Sequence, residues 1–256
     1  MTEVVKFVIM IITEVTAKSI LSKSKISDYT INAYTGCQHA CAYCYACFMK
    51  KYTNHPEPWG KFVDVKINAP ELLRRKIAGA PPGKVWLSGV CDAYQPVEKR
   101  YELTRKCLEL LIQYGWPVTV QTKSPLVLRD IDLLKRGTRV EVGFSIGTAD
   151  ERVRRILEPG APPISERIEA LDRLHRAGIR TFVMIAPLLP KADGLAEALA
   201  GKVDSVLIDR MNYHYSDRLY QEHRLEHCLT SDYFQTQGRL LAAAFRRMGI
   251  PCRVLF

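Results

Sequence analysis

Two hydrophobic periods take turns along the chain. Runs in which apolar and polar residues alternate at every second position read as strands, and longer runs with apolar residues three and four apart read as helices. Strands are expected at residues 29–34, 84–90, 117–122, 139–146, 180–186 and 203–208, with a seventh at 252–256. Helices are expected between them, at 68–79, 98–115, 125–136, 164–178, 191–200 and 231–249. Asn68 before Ala-Pro-Glu has the form of an N-cap with Pro in the first turn, and Gly79, Gly115, Gly137, Gly178 and Gly249 follow helical runs as stop signals. The apolar run Val4–Ile12 is too short to span a bilayer and is interrupted by Lys6, so it reads as a further strand. Met10 lies inside that run, which leaves two candidate starts, Met1 and Met10.

The strand–helix rhythm predicts βαβ units and a parallel sheet. Side-chain parity narrows the architecture. In Val118-Thr-Val-Gln-Thr-Lys123 the valines share one face and Thr119, Gln121 and Lys123 the other; in Val140-Glu-Val-Gly-Phe-Ser-Ile146 the polar or small Glu141, Gly143 and Ser145 alternate with apolar residues. A parallel sheet covered by helices on both faces is hydrophobic almost throughout. These polar faces therefore predict an α/β fold of the partial (βα)6, TIM-like barrel kind with an open polar lumen, rather than a flat doubly wound sheet. Such barrels gather reactive groups at the carboxyl ends of their strands. Here those ends carry Cys91-Asp92, Lys123, Ser145 and Asp209-Arg210, with Asn212 just beyond.

A length of 256 residues suits one unit of this kind. Its expected parts are an N-terminal strand and lead-in over 1–28, a barrel core over 29–210, and a C-terminal helix and strand over 211–256. No repeat or low-complexity stretch divides it; residues 47–67 and 158–163 read as irregular loops. The net charge of +10 permits a polyanionic partner without demanding one. The clearest local bias is Arg239, Arg246, Arg247 and Arg253, with no acid after Asp232. Eight cysteines are few for a secreted disulfide framework, and no leader or membrane span is visible, so a cytoplasmic protein that does not enter membranes is expected.

Three of those cysteines change the picture. Cys37, Cys41 and Cys44 form C-x3-C-x2-C within Tyr34-Thr-Gly-Cys-Gln-His-Ala-Cys-Ala-Tyr-Cys-Tyr45. Soft thiolates suit both zinc and iron–sulfur, so a zinc site with His39 as fourth ligand is one reading. Zinc ligands usually arrive as two separated pairs, however, and the tight triad favours a 4Fe-4S cluster. A cubane normally takes four thiolates, so three leave one iron open for a non-protein ligand. His39 itself reads as a loop residue. Cys47 reads as packing or a spare ligand, and Cys107, Cys228 and Cys252 as small buried hydrophobes.

With its aromatic, C-x3-C-x-Tyr-C resembles the motif of radical S-adenosylmethionine (SAM) enzymes. The stretches Val85–Glu98, Thr122-Lys-Ser124, Glu158-Pro-Gly-Ala-Pro-Pro163 and Ile185-Ala-Pro-Leu-Leu-Pro190 resemble the branch of that family related to spore photoproduct lyase. The resemblance implies a 4Fe-4S cluster on Cys37, Cys41 and Cys44. It implies SAM bound at the open iron and cleaved to a 5'-deoxyadenosyl radical, with one electron from an external donor of the flavodoxin or ferredoxin type. It further implies Tyr43, Lys123, Ser145 and the backbone of Ala186 as SAM contacts. By the same resemblance Tyr45 belongs to a hydrogen-transfer relay, and Cys91 returns hydrogen to a substrate radical. The implied substrate is a nucleic-acid base; a protein, peptide or small metabolite is the alternative. A non-catalytic iron–sulfur carrier or zinc-stabilised nucleic-acid-binding module is the reading outside enzymes. The chain departs from the lyase around Cys91, where Gly-Val-Cys-Asp-Ala-Tyr-Gln-Pro is the pattern of the wider branch, and it has no clear match to a lesion-binding hairpin.

Overall fold

The computed structural model describes residues 10–256. The strand expected at Val4–Ile12 is met at its end only, because its first residues lie outside the described ones. Among the described residues eleven strands are present: β1 (Ile11–Val15), β2 (Leu21–Lys23), β3 (Tyr29–Ile31), β4 (Tyr34–Thr35), β5 (Phe62–Lys66), β6 (Val85–Leu87), β7 (Val118–Thr122), β8 (Val140–Ser145), β9 (Arg180–Ile185), β10 (Ser205–Ile208) and β11 (Cys252–Val254). Nine α-helices accompany them: α1 (Ala69–Ile77), α2 (Glu98–Tyr101), α3 (Leu103–Gln113), α4 (Ile131–Arg136), α5 (Glu151–Leu157), α6 (Ile164–Arg176), α7 (Leu195–Leu199), α8 (Asp217–Glu222) and α9 (Ser231–Arg247).

The main sheet runs β11-β10-β9-β8-β7-β6-β3-β2, parallel throughout except for antiparallel β2 at its edge. Its six central parallel strands are those read from the alternation, and they make the partial barrel; β11 extends it as the seventh. Valines and isoleucines of the outward faces, with Leu108, Leu111, Leu171 and Leu174 of α3 and α6, form the buried core between sheet and helices. A second sheet, β1-β5-β4, was not foreseen, because β5 lies inside the segment read as loop. The expected strand 29–34 is in fact two short strands that belong to different sheets.

Three further expectations are corrected. The helix read over 98–115 breaks at Glu102, whose φ is +53°. The carboxylate of buried Glu98 accepts from the N–H groups of Thr104 and Arg105 at 3.0 and 3.2 Å, capping α3 from the preceding turn. The helix read over 125–136 begins as a 3-10 segment, Pro125–Asp130. Asn68 makes no cap bond to α1; its amide pairs with both backbone groups of Ala17 at 2.9 Å and ties the second sheet's lead-in down.

Parity was right about direction and incomplete about purpose. Thr119 donates to Glu141 at 2.7 Å, and Glu141 also pairs with Lys84, so this polar layer closes the amino-terminal mouth of the barrel. Above it Trp86 and Phe182 meet across the interior with ring centroids 6.3 Å apart. Phe182 fills the space that a Cβ on Gly143 would need, since that atom would stand 2.1 Å from the ring. The lumen is therefore plugged in its lower half and polar only towards the carboxyl rim, where Gln121 donates to Ser145 at 2.8 Å.

Candidate functional site

Residues 36–44 form the loop that follows β4, and they are held from three sides. Gln38 and Gln95 exchange bonds with the backbone: Gln38 N–H donates to Gln95 at 3.0 Å, Gln95 to Gly36 C=O at 3.1 Å, and Val97 N–H to Gln38 at 2.6 Å. On another side Ala42 N–H donates to Leu157 C=O at 2.8 Å, and Gly160 N–H to His39 C=O at 3.0 Å. A side chain at Gly160 is excluded, because its Cβ would lie 2.2 Å from the Gln38 carbonyl oxygen. The third clamp is His39, read as an ordinary loop residue but fully enclosed. Its Nδ1 lies 3.2 Å from Gly160 C=O and its Nε2 3.2 Å from Asp92 Oδ2.

Asp92 in turn accepts from Tyr94 N–H at 2.8 Å, Thr122 Oγ at 2.6 Å and Lys123 N–H at 2.7 Å. One carboxylate thus joins the exits of β6 and β7 to the cysteine loop. Burial opposes its charge, but His39 and the donors from Thr122 and Lys123 outweigh that and hold it far below the usual carboxylate range.

The three thiols sit on this pinned loop, Cys37 buried and Cys41 and Cys44 half-buried, none in a disulfide. Burial pushes the Cys41 thiol up to about 12 and raises Cys37 and Cys44 as well. Thiolate ligands must shed that proton when metal binds, and donors stand ready: Lys123 favours the anion at Cys41 and Cys44, and the Ala46 and Trp59 N–H groups favour it at Cys44. The indole N–H of Trp59 is buried beside Cys44 with no other partner. His39 turns Nδ1 to Gly160 C=O and Nε2 to Asp92, each at 3.2 Å, an orientation unlike that of a fourth ligand. Among the described residues no three His, Cys, Asp or Glu side chains converge as ligands of a single ion would. The donor set fits a polynuclear iron–sulfur cluster, whose thiolates bind different irons, better than one zinc.

Beside the thiols lies an ionic group that sequence reasoning missed. Glu158, 1% exposed, accepts from the Tyr43 hydroxyl, pairs with Arg167 Nη1 at 2.7 Å and faces Lys123 Nζ at 3.8 Å. Arg167, fully buried on α6, also donates to Pro162 C=O at 2.9 Å and Ser145 C=O at 3.1 Å, while its Nη2 has no partner. Burial would raise the pKa of Glu158, but Arg167, Lys123 and the Tyr43 hydroxyl outweigh it and keep the carboxyl below its ordinary range. Burial likewise opposes charge on Lys123, yet Cys41 and Glu158 more than offset it. Lys123 therefore stays a cation, 5.9 Å from the Tyr43 ring centroid. Lys123 makes no salt bridge with Glu141 of the same lumen face, which serves Lys84 instead.

The remaining expected residues occupy the same rim. Ser145 ends β8, and Ala186 follows β9 in the turn to Pro187. Cys91 is half-buried, its thiol pushed up to about 11 by burial and eased down by Ser88 and Lys66. Tyr45, partly exposed, donates its hydroxyl to Gly89 C=O, two residues before Cys91. Asp209, by contrast, only orders its own turn, accepting from Arg210 N–H at 2.8 Å and Asn212 at 3.0 Å.

Residues 31–195 match the Radical SAM superfamily. An uncharacterized protein of Methanocaldococcus jannaschii is 40% identical over 181 residues, covering 70% of this chain and 68% of its own length. A radical SAM Nα-GlyT isomerase of Pseudomonas phage M6 is 26% identical over 156 residues, 60% of this chain and 32% of the isomerase. Among solved structures, spore photoproduct lyase complexed with dinucleoside spore photoproduct superposes with a TM-score of 0.65 at 17% identity, over 95% of this chain and 82% of the lyase. Streptococcus suis SuiB bound to its precursor peptide SuiA reaches 0.54 at 14% identity, over 89% of this chain and 48% of SuiB. At such identities these two likenesses concern the fold alone. Among the described residues no helix is long and apolar enough to cross a membrane.

Proposed function

We propose that this chain, which belongs to the radical SAM superfamily, is an enzyme that holds a 4Fe-4S cluster on Cys37, Cys41 and Cys44 and acts on a nucleic-acid base by hydrogen abstraction. Such a cluster, once reduced by an external donor, supplies the electron that splits bound SAM into methionine and a 5'-deoxyadenosyl radical. The observation that carries the reading is that three thiols free of disulfides share one loop beside a buried cation, Lys123, which favours the anion at Cys41 and Cys44 and itself faces Glu158 at 3.8 Å.

The protein's own part is to bind and orient. Lys123 offers a charge-assisted contact to the carboxylate of SAM, and Glu158 keeps that ammonium charged and in place. Tyr43, its hydroxyl committed to Glu158, presents its ring face beside the cluster loop. Ser145, held by Gln121, supplies a hydroxyl at the β8 exit for the ribose side of SAM, and the Ala186 backbone borders the adenine. Cys91 would give a hydrogen atom from its S–H to the product carbon radical and become a thiyl; Tyr45, whose hydroxyl reaches Gly89 near that thiol, would return a hydrogen atom to the sulfur, and the tyrosyl radical left would be quenched by one electron from the external donor and one proton from solvent. High thiol pKa suits this role, because a hydrogen atom is given up from S–H and not from a thiolate. Among proteins of the same fold the lyase is complexed with a dinucleoside photoproduct and SuiB with a precursor peptide, so the fold accommodates either substrate class.

Anaerobically reconstituted protein mixed with SAM and dithionite should release 5'-deoxyadenosine, measured by chromatography. A cluster-loaded sample that never does so would sink the enzyme reading. Changing Cys91 to Ala should leave SAM cleavage intact while diverting the substrate radical to side products. Unchanged product and unchanged hydrogen return would make Cys91 a packing residue.

A further inference from the structure

Outward from Tyr45 runs a row of exposed rings. Tyr45 stands 6.1 Å from Tyr213 with ring planes 17° apart, and Tyr213 stands 5.6 Å from Tyr215 with planes 6° apart. Phe48 extends the row on the other side of Tyr45, at 6.4 Å and 32°. Tyr45, Tyr213, Tyr215 and Phe48 are 41, 46, 54 and 43% exposed. Two separate segments build this surface: the 3-10 turn Tyr45–Tyr52, directly after Cys44, and the stretch between β10 and α8. Rings that only filled a core would be covered; here the near-parallel faces of the three tyrosines are kept in water, and Tyr45 within the row bonds Gly89 at the exit of β6. The border is basic. Lys51 Nζ lies 5.9 Å from the Phe48 centroid and 4.9 Å from that of Tyr52, exposed Arg210 precedes Tyr213, and the whole chain carries +10. The nearby acids are spent locally, Asp217 on His214 at 2.9 Å and Asp209 on its own turn.

We propose that the row Phe48–Tyr45–Tyr213–Tyr215 is a stacking platform for the bases of a single-stranded or locally opened nucleic acid, with Lys51 and Arg210 placed for its phosphates. The proposal rests on the nucleic-acid reading above and specifies how that substrate reaches the rim. Stacking on tyrosine needs bases whose faces are free, as they are in single strands and in extruded nucleotides and are not within a duplex. Every base has such a face, so the platform tolerates sequence, and the cations supply the backbone attraction. Tyr45, within the row, lies near Cys91, where a base drawn from the strand would enter the rim.

The test is fluorescence anisotropy with a fluorescein-labelled 12-nucleotide mixed-sequence DNA strand and the same strand as duplex, added to cluster-loaded protein. The strand should bind more tightly than the duplex. Tyr213→Leu and Tyr215→Leu should each weaken strand binding by about 5- to 150-fold, the effect of one lost base–aromatic stack, whereas Tyr213→Trp should retain it. Lys51→Ala and Arg210→Ala should instead flatten the dependence of affinity on salt. Tyr114→Leu, an exposed tyrosine after α3 at the opposite end of the barrel, should change nothing. Strand affinity that survives both Leu substitutions, or equal affinity for duplex, would overturn the platform, as would binding of an unstructured peptide in place of the strand. Wild-type release of 5'-deoxyadenosine without any strand reads the proposed function separately: its absence beside intact strand binding would remove the radical chemistry and leave the platform standing.

Discussion

Two buried carboxylates, Glu98 and Glu158, sit in ionic networks of similar make-up and differ in one respect. Glu98 accepts from the Tyr34 hydroxyl, from Arg129 at 2.8 Å and from two backbone N–H groups of α3. Its neighbour Asp130 accepts from Tyr94 at 3.0 Å, Arg105 at 2.8 Å and Arg129 at 2.8 Å. Every buried donor in that network has its acceptor, and the network closes on itself between α3 and α4. Glu158 also takes a tyrosine and an arginine, but Lys123 stands off at 3.8 Å and Arg167 Nη2 points to no acceptor. A saturated network fixes structure and offers nothing further. An unsaturated one, with Cys41 at its edge, leaves donors free, as the proposed binding of SAM requires.

The largest effects should come from deleting the carboxylates. Glu158→Ala leaves Arg167 without its counter-charge and should cost about 3–5 kcal/mol, roughly 2–4 °C in Tm for each kcal/mol at this chain length; Glu98→Ala leaves Arg129 still paired with Asp130 and should cost less, through the lost acceptor of Tyr34 and of two α3 N–H groups. Their functional outcomes should part. Folded Glu98→Gln protein should release as much 5'-deoxyadenosine per cluster as the wild type. The double variant Glu158→Leu/Arg167→Met should regain most of the lost Tm, since an apolar pair of similar volume replaces a buried ion pair at little cost, yet it should still bind SAM poorly. Recovery of both properties in that double variant would make Glu158 purely structural and erase the contrast. Next in size is Lys123→Met, which leaves the Glu158–Arg167 pair in place. It should shift Tm little and raise the dissociation constant for SAM by about 10- to 100-fold, the range for a lost charge-assisted bond; equal SAM affinity would remove Lys123 from the site.

The contrast also explains what the amino-acid sequence disclosed. The thiols were legible because their spacing is local, and Lys123 and Ser145 because strand parity is local too. Glu158 was visible only as the start of a proline-rich loop. Its partner Tyr43 lies 115 residues away, and nothing in either neighbourhood says that they meet. His39 was misjudged for the same reason: its clamp depends on Gly160 and Asp92, which the fold alone brings to it. The six central strands followed from their period, whereas β5 was lost because a five-residue strand in a second sheet has no rhythm of neighbours to announce it. Thr119 and Glu141 revealed their face correctly but not their task, which is to close the barrel's lower mouth with Lys84.

A third carboxylate pairing tests the contrast at its weakest point. His55 lies in the loop that carries Trp59 towards Cys44, and its ring meets Glu57 at 3.1 Å and Asp64 at 2.8 Å. Burial lowers its pKa, but the bonds to Asp64 and Glu57 outweigh that and leave it raised above the ordinary histidine value. A raised folded pKa means that the ion pair contributes its full stability below the ordinary value and loses it as pH rises through the folded one. The pair lies near the surface, so the whole contribution should not exceed about 1 kcal/mol, a Tm difference of roughly 2–4 °C between wild type and His55→Gln. That difference should be greatest near pH 5.5 to 6, on the order of half a unit or more below the ordinary histidine pKa, and should fade towards pH 8. A difference that grew with pH would mean that neutral His55, not its charge, holds the loop, and that this pairing is a packing contact closer in kind to the saturated network than to the open one.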